Sequence, residues 1–117
     1  MNILYVEDEP NDATLVSLFV QSTPHSLTLV SNVEGARQAI VDTPDLILID
    51  VLLGHARDGV KLARELRAQS YEIPLVAVTG LSTPQDIEEC NRAGFDFVLK
   101  KPFTIDQLAA VIDRYTS

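Results

Sequence analysis

The sequence predicts an α/β fold of the (βα)5 type: one doubly wound domain over residues 1–117, with a five-stranded parallel sheet between two layers of helices. Three observations predict it. Short apolar runs alternate strictly with amphipathic segments, which implies parallel strands joined by right-handed helical crossovers. Several runs are continuously apolar and rich in branched residues, as strands buried on both faces are. The segments between them open on helix-start signals.

Taken in order, Ile3-Leu4-Tyr5-Val6 forms the first run and ends in Glu7-Asp8. Pro10 then stands at a first helical position, with Leu15, Leu18 and Phe19 expected on the inward face. Ser26 to Val30 is a weaker second strand. Ser31 and Glu34 read as a capping box ahead of Ala36, Ala39 and Ile40. Leu46-Ile47-Leu48-Ile49 is the third strand and ends in Asp50. Asp58 is expected to cap a helix carrying Leu62 and Leu66. Leu75-Val76-Ala77-Val78 ends in Thr79-Gly80, and Thr83-Pro84 opens a helix with Ile87 and Cys90 inward. Phe97-Val98-Leu99 leads to Lys100-Lys101-Pro102. Thr104 and Gln107 make a second capping box, before Leu108, Val111, Ile112 and Tyr115.

Composition narrows the function. A net charge of −8 argues against direct nucleic-acid binding, which needs Lys and Arg on phosphates, and against anionic membranes. A single cysteine, Cys90, rules out a disulfide framework within the chain and a zinc cluster built on cysteines. No apolar run spans a bilayer and no basic-then-apolar signal opens the chain, so cytoplasmic residence is expected. His25 and His55 have no partner at catalytic or metal spacing and read as surface residues.

The chemistry gathers at one edge. Ligands of doubly wound sheets bind beyond the carboxyl ends of the strands, where strand order reverses. Four of the five strand ends deliver polar groups there: Glu7-Asp8, Asp50, Thr79 and Lys101. If the order is 2-1-3-4-5, the reversal falls between the first and third strands, and the carboxylates then face each other. Three such carboxylates repel unless a cation neutralises them, and Mg2+ suits an all-oxygen site that retains water. An ammonium and a hydroxyl beside them suit a phosphoryl group. Asp50, at the centre, is the expected nucleophile, accepting the group as an acyl phosphate. Thr79 and the Gly80 backbone N–H are expected on one phosphoryl oxygen and Lys101 on another.

Val6-Glu7-Asp8-Glu9, Asp45 to Asp50, Asp58-Gly59, Val78-Thr79-Gly80, Ala93-Gly94 and Lys101-Pro102-Phe103 form an ordered set along nearly the whole chain. In that set the chain resembles response-regulator receiver domains. The resemblance implies the flavodoxin-like strand order 2-1-3-4-5. It implies Asp50 as the aspartyl-phosphate site, with Thr79 as switch hydroxyl and Lys101 as phosphate-pairing lysine. It also implies Mg2+ on Asp8, Asp50 and the Leu52 backbone carbonyl, Glu7 acting through a metal-bound water, and a cis bond before Pro102. Lys100 is then left to solvent. The partners implied are a histidine kinase or histidine phosphotransfer protein as donor and an output protein or fused output domain as receiver. Output passes through the face of the fourth helix, fifth strand and fifth helix, and a homodimer is open. Such a protein is a signalling switch rather than an enzyme, catalysing only its own phosphorylation and slow dephosphorylation. Met1 directly ahead of the first strand suggests a genuine start. The other end fits a stand-alone regulator or an excised receiver.

The chain departs from the family pattern in three places. The loop after Asp50 is about one residue longer than usual. Val98 stands where the family has its switch aromatic, with Phe97 expected to point the other way. Leu52 and Leu81, two residues after Asp50 and Thr79, are apolar and cannot orient an attacking water, which predicts a slowly hydrolysing acyl phosphate. Other classes fit less well. A flavin mononucleotide binder needs a Ser/Thr/Gly phosphate loop after the first strand, and a dinucleotide fold needs Gly-x-Gly there. A haloacid-dehalogenase-type phosphatase needs a second Asp at position 52. A receiver-like module that is never phosphorylated is the closest rival, but such modules usually lack one of the acidic or lysine residues present here.

Overall fold

A computed structural model describes residues 1–54, 56–81 and 83–116. The sheet contains β1 (Asn2–Val6), β2 (Ser26–Val30), β3 (Leu46–Asp50), β4 (Leu75–Thr79) and β5 (Phe97–Lys100). The order is β2-β1-β3-β4-β5, and every pairing is parallel. The helices are α1 (Pro10–Gln21), α2 (Val33–Ala39), α3 (Asp58–Ala68), α4 (Pro84–Ala93) and α5 (Ile105–Arg114), with a 3-10 turn at Ile40–Asp42. The expected fold class, strand order and strand positions stand.

Alternation along the strands splits the core into two layers. Leu4, Val6, Ile47, Ile49, Leu75 and Ala77 pack on α2, α3 and α4. Ile3, Tyr5, Leu46, Leu48, Val76 and Val78 pack on α1 and α5. β3 and β4 are buried at every residue, whereas β2 is an edge strand with Leu29 42% exposed. The parity continues past the strand ends. Glu7 follows Tyr5, Asp50 follows Leu48, and Lys101 follows Phe97 and Leu99, so all three belong to the α1/α5 side. Val98 packs with the opposite layer, and Phe97 with the α1/α5 layer under the Arg114 guanidinium. The two side chains point apart as expected.

Helix starts agree with expectation at three places and differ at two. Pro10 opens α1, and Thr83–Asp86 and Thr104–Gln107 are full capping boxes. The cap of α2 is Asn32, whose side chain accepts from Gly35 N–H at 2.7 Å, and not Ser31. Asp58 is the first residue of α3 and not its cap; Arg57 holds that place without a side-chain bond. α1 also turns differently from the expected face. It buries Val16 and Val20, while Leu15 and Leu18 stand 37% and 61% exposed. Residues 15–20 are apolar nearly all round, so periodicity leaves the inward stripe open and packing on the sheet selects it. His25 is half-buried against the amino-terminal nitrogen, and His55 lies outside the described residues.

Candidate functional site

The rim beyond β1, β3 and β4 collects the expected residues. Asp50, last in β3, is 6% exposed. Its Oδ1 accepts the Leu52 N–H at 3.1 Å, and its Oδ2 accepts from Lys101 Nζ at 3.1 Å. Glu7 has a fully enclosed side chain, with Oε1 on the Glu9 N–H at 3.0 Å and Oε2 on Lys101 Nζ at 2.9 Å. Asp8 is exposed at the mouth, where its Oδ2 accepts the Gly54 N–H at 2.6 Å. One carboxylate oxygen from each of Glu7, Asp8 and Asp50 lies within 4.8 Å of the others. Three oxygen donors converging this closely fit a hard divalent cation such as Mg2+.

Lys101 stands immediately before a cis peptide bond to Pro102 and enters the rim from the end of β5, while Lys100 is exposed. Its ammonium also reaches Asp12 Oδ2 at 3.0 Å, so one cation serves three carboxylates. Burial works against that charge, but the bonds to Glu7 and Asp12 and the field of Asp50 outweigh it and hold the lysine pKa above its ordinary value. The Asp50 pKa is also raised, which for a carboxylate disfavours the charged form. Burial and the adjoining Glu7 outweigh the pull of Lys101 and push it up to about 7. Without a further cation, the rim is short of positive charge.

Thr79 ends β4 at 2% exposure, its Oγ1 accepting the Leu81 N–H at 2.9 Å. Gly80 follows in the open, and a side chain there would meet nothing within 4 Å. The loop after Asp50 closes on itself, with Leu53 and Ala56 exchanging backbone bonds and Gly54 at φ 68°. The Gly59 N–H bonds Val51 O, and a Cβ on Gly59 would collide with the Asp50 carbonyl oxygen. The Asp58-Gly59 pair is thus where the first turn of α3 seats directly on the backbone of Asp50.

Two residues at the rim escaped the sequence reading. Asp12 was hidden in the first turn of α1, where an acid is unremarkable. Tyr5 reads as one more core residue of the first apolar run, and it is fully buried, but its hydroxyl donates to Glu7 Oε2 at 2.9 Å. The available signal was the two-residue period, which puts Tyr5 and Glu7 on one face.

Comparison with known proteins is consistent with this arrangement. The family model described as "Response regulator receiver domain" matches residues 3–113. The transcriptional regulatory protein RprY of Bacteroides fragilis is 32% identical over 97% of this chain and 48% of its own length. The probable C4-dicarboxylate response regulator DctR of Halalkalibacterium halodurans is 29% identical over 98% of this chain and 51% of its own. The chain thus spans about half the length of these curated relatives. Among solved structures, the receiver domain of the sensor histidine kinase PA1611 of Pseudomonas aeruginosa is 34% identical, with a TM-score of 0.86 over 97% of this chain and 95% of that one. That structure has a magnesium ion coordinated in its active site cleft. The BeF3-activated receiver domain of Klebsiella pneumoniae RstA is 26% identical, with a TM-score of 0.89 over 98% of this chain and 97% of that one.

Proposed function

The chain belongs to the response regulator receiver domain family, and from that premise we propose that it is a phosphoryl-accepting switch whose acceptor is Asp50. The observation that carries this is one ammonium, Lys101 Nζ, within 3.1 Å of both Glu7 and Asp50 in a rim that is otherwise acidic. A fixed cation beside a buried carboxylate is what transfer of a charged group to that carboxylate needs.

A phosphohistidine on a histidine kinase or phosphotransfer protein is the proposed donor. An Asp50 carboxylate oxygen attacks phosphorus, the P–N bond breaks, and its electron pair leaves with the donor imidazole. Lys101 neutralises one phosphoryl oxygen. The Thr79 hydroxyl and the Gly80 N–H take another, which draws Thr79 from its bond to the Leu81 N–H. Asp8, Asp50 and the Leu52 carbonyl would hold Mg2+, with Glu7 acting through a water; bound there, the ion supplies charge neutralisation at the phosphoryl group. Movement of Thr79 reaches the α4–β5–α5 face, where an apolar groove of about 440 Å³ runs between β5 and α5 past Phe97, Leu99 and Val111. An output protein or a fused output domain is the proposed reader of that face. Residues 1–117 act as one receiver domain in this scheme. Among the described residues no helix is long and apolar enough to cross a membrane, and a cytoplasmic site of action fits the donor chemistry.

The test is incubation with acetyl phosphate and Mg2+, followed by intact and peptide mass measurement. A single added phosphate on the peptide containing Asp50, lost in Asp50→Asn, is expected. Its absence, or its persistence in the variant, would overturn the assignment.

A further inference from the structure

Glu7 and Tyr5 make a pair that the transfer reaction leaves unexplained. Among the described hydrophobic residues buried in the α1/α5 layer, Tyr5 is the one whose side chain carries a polar atom. A phenylalanine would fill the same space without the cost of burying a hydroxyl, so the hydroxyl is tied to its partner, Glu7 Oε2. That oxygen has two donors in the resting domain, Tyr5 Oη and Lys101 Nζ, both at 2.9 Å.

Lys101 cannot serve every acceptor once Asp50 is phosphorylated. Its three protons face Glu7, Asp12 and Asp50 at rest, and a phosphoryl group adds oxygens of higher charge. Asp12 is 32% exposed and can exchange the ammonium for water. The Glu7 side chain has no exposed surface, and a buried carboxylate oxygen left without a donor is strongly disfavoured. We propose that the Tyr5 hydroxyl is a positioning group that keeps Glu7 Oε2 satisfied, and Glu7 in place, while Lys101 is drawn to the phosphoryl group. This rests on the phosphoacceptor assignment above. It makes Tyr5 selective, needed in the phosphorylated state and dispensable in the metal-bound state before transfer.

That selectivity is measurable with the beryllium trifluoride anion, which adds to a carboxylate as a stable mimic of the phosphoryl group. Titration calorimetry of the native domain and of Tyr5→Phe would give the Mg2+ affinity alone and the beryllofluoride affinity at saturating Mg2+. Tyr5→Phe is expected to leave Mg2+ affinity within about twofold and to weaken beryllofluoride about tenfold, the effect of one donor lost from a buried charged acceptor. In the native domain, the buried, hydrogen-bonded Tyr5 hydroxyl proton should move downfield on adding beryllofluoride and not on adding Mg2+ alone. That second measurement stands even if the variant folds poorly. Equal weakening of both ligands, no weakening of either, or a hydroxyl proton indifferent to beryllofluoride would overturn the role of Tyr5. A native domain that binds Mg2+ but no beryllofluoride would instead overturn the phosphoacceptor assignment, and this role with it.

Discussion

Asp50 carries its own cost in the metal-free domain. Its carboxyl has an ordinary value near 3.8 and is pushed up to about 7 by burial and by Glu7. Between those values the folded state binds the proton more tightly than the unfolded one. The contribution of this group is therefore full below about pH 4 and is lost as pH rises through about 7. Asp50→Asn removes that dependence. In urea unfolding without divalent cations, the variant should exceed the native domain by about 1–3 kcal/mol at pH 8 and by much less at pH 5. Equal differences at the two pH values would mean that Asp50 is not destabilised by its surroundings. If Asp50 is the phosphoacceptor proposed above, the same scale sets the lifetime of the phosphorylated form. Leu52 and Leu81 are both partly buried, and Leu81 packs against the α2–α4 layer. Neither side chain can hold a water in line with the acyl phosphate. Leu81→Glu or Leu52→Asn should speed dephosphorylation about tenfold or more, below the roughly 10²–10⁴-fold of a fully positioned acid–base group, as followed by loss of mass-labelled phosphate. An already rapid decay that neither change accelerates would remove the hydrophobic explanation.

At the scale of elements, the start of α2 tests how closely local signals specify structure. Ser31 and Glu34 match the capping-box pattern, but Asn32 makes the bond, accepting the Gly35 N–H at 2.7 Å. Two adjacent residues can each cap, and the final register follows from how β2 ends and where Ala36 meets the sheet. Asn32→Ala should cost about 1 kcal/mol of unfolding free energy and Ser31→Ala only a few tenths, read by chemical denaturation. The reverse ranking would restore the Ser31 cap. The same reasoning explains what was legible. β1, β3 and β4 were plain because sheet burial on both faces demands unbroken apolar runs. Thr83 and Thr104 were plain because Pro84 marks the first helical position after Thr83, and Asp86 and Gln107 stand three residues on from the two threonines to complete the boxes. The inward stripe of α1 was not, because Leu15, Val16, Leu18, Phe19 and Val20 are all apolar and only packing chooses among them. At the rim, Glu7, Asp8, Asp50, Thr79 and Lys101 were readable from strand ends. Asp12 and Tyr5 were not, since one looks like a helix-start acid and the other like core.

For the whole molecule, the rim is a charge imbalance held in place by the rest of the fold. The sheet fixes Glu7 and Asp50 from neighbouring strands, Gly59 lets α3 close onto the Asp50 backbone, and the one ammonium in reach among the described residues is shared three ways. The net charge of −8 adds to the field acting on that cluster. A divalent cation that binds the folded rim and not the unfolded chain must then stabilise the entire domain, by about 2.7 kcal/mol at a hundred times its dissociation constant. A metal held by Asp50 would compete with the Asp50 proton, so the stabilisation should grow with pH. Calorimetric melting should show Mg2+ raising Tm more at pH 8 than at pH 5. Potassium chloride of equal ionic strength should do far less, because screening acts weakly on buried charges. Asp8→Ala should remove most of the Mg2+ increment while leaving the metal-free fold intact, since Asp8 stands at the exposed mouth. An increment that is the same at both pH values, or that potassium chloride reproduces, would show that Mg2+ acts on the surface at large and not on these three carboxylates.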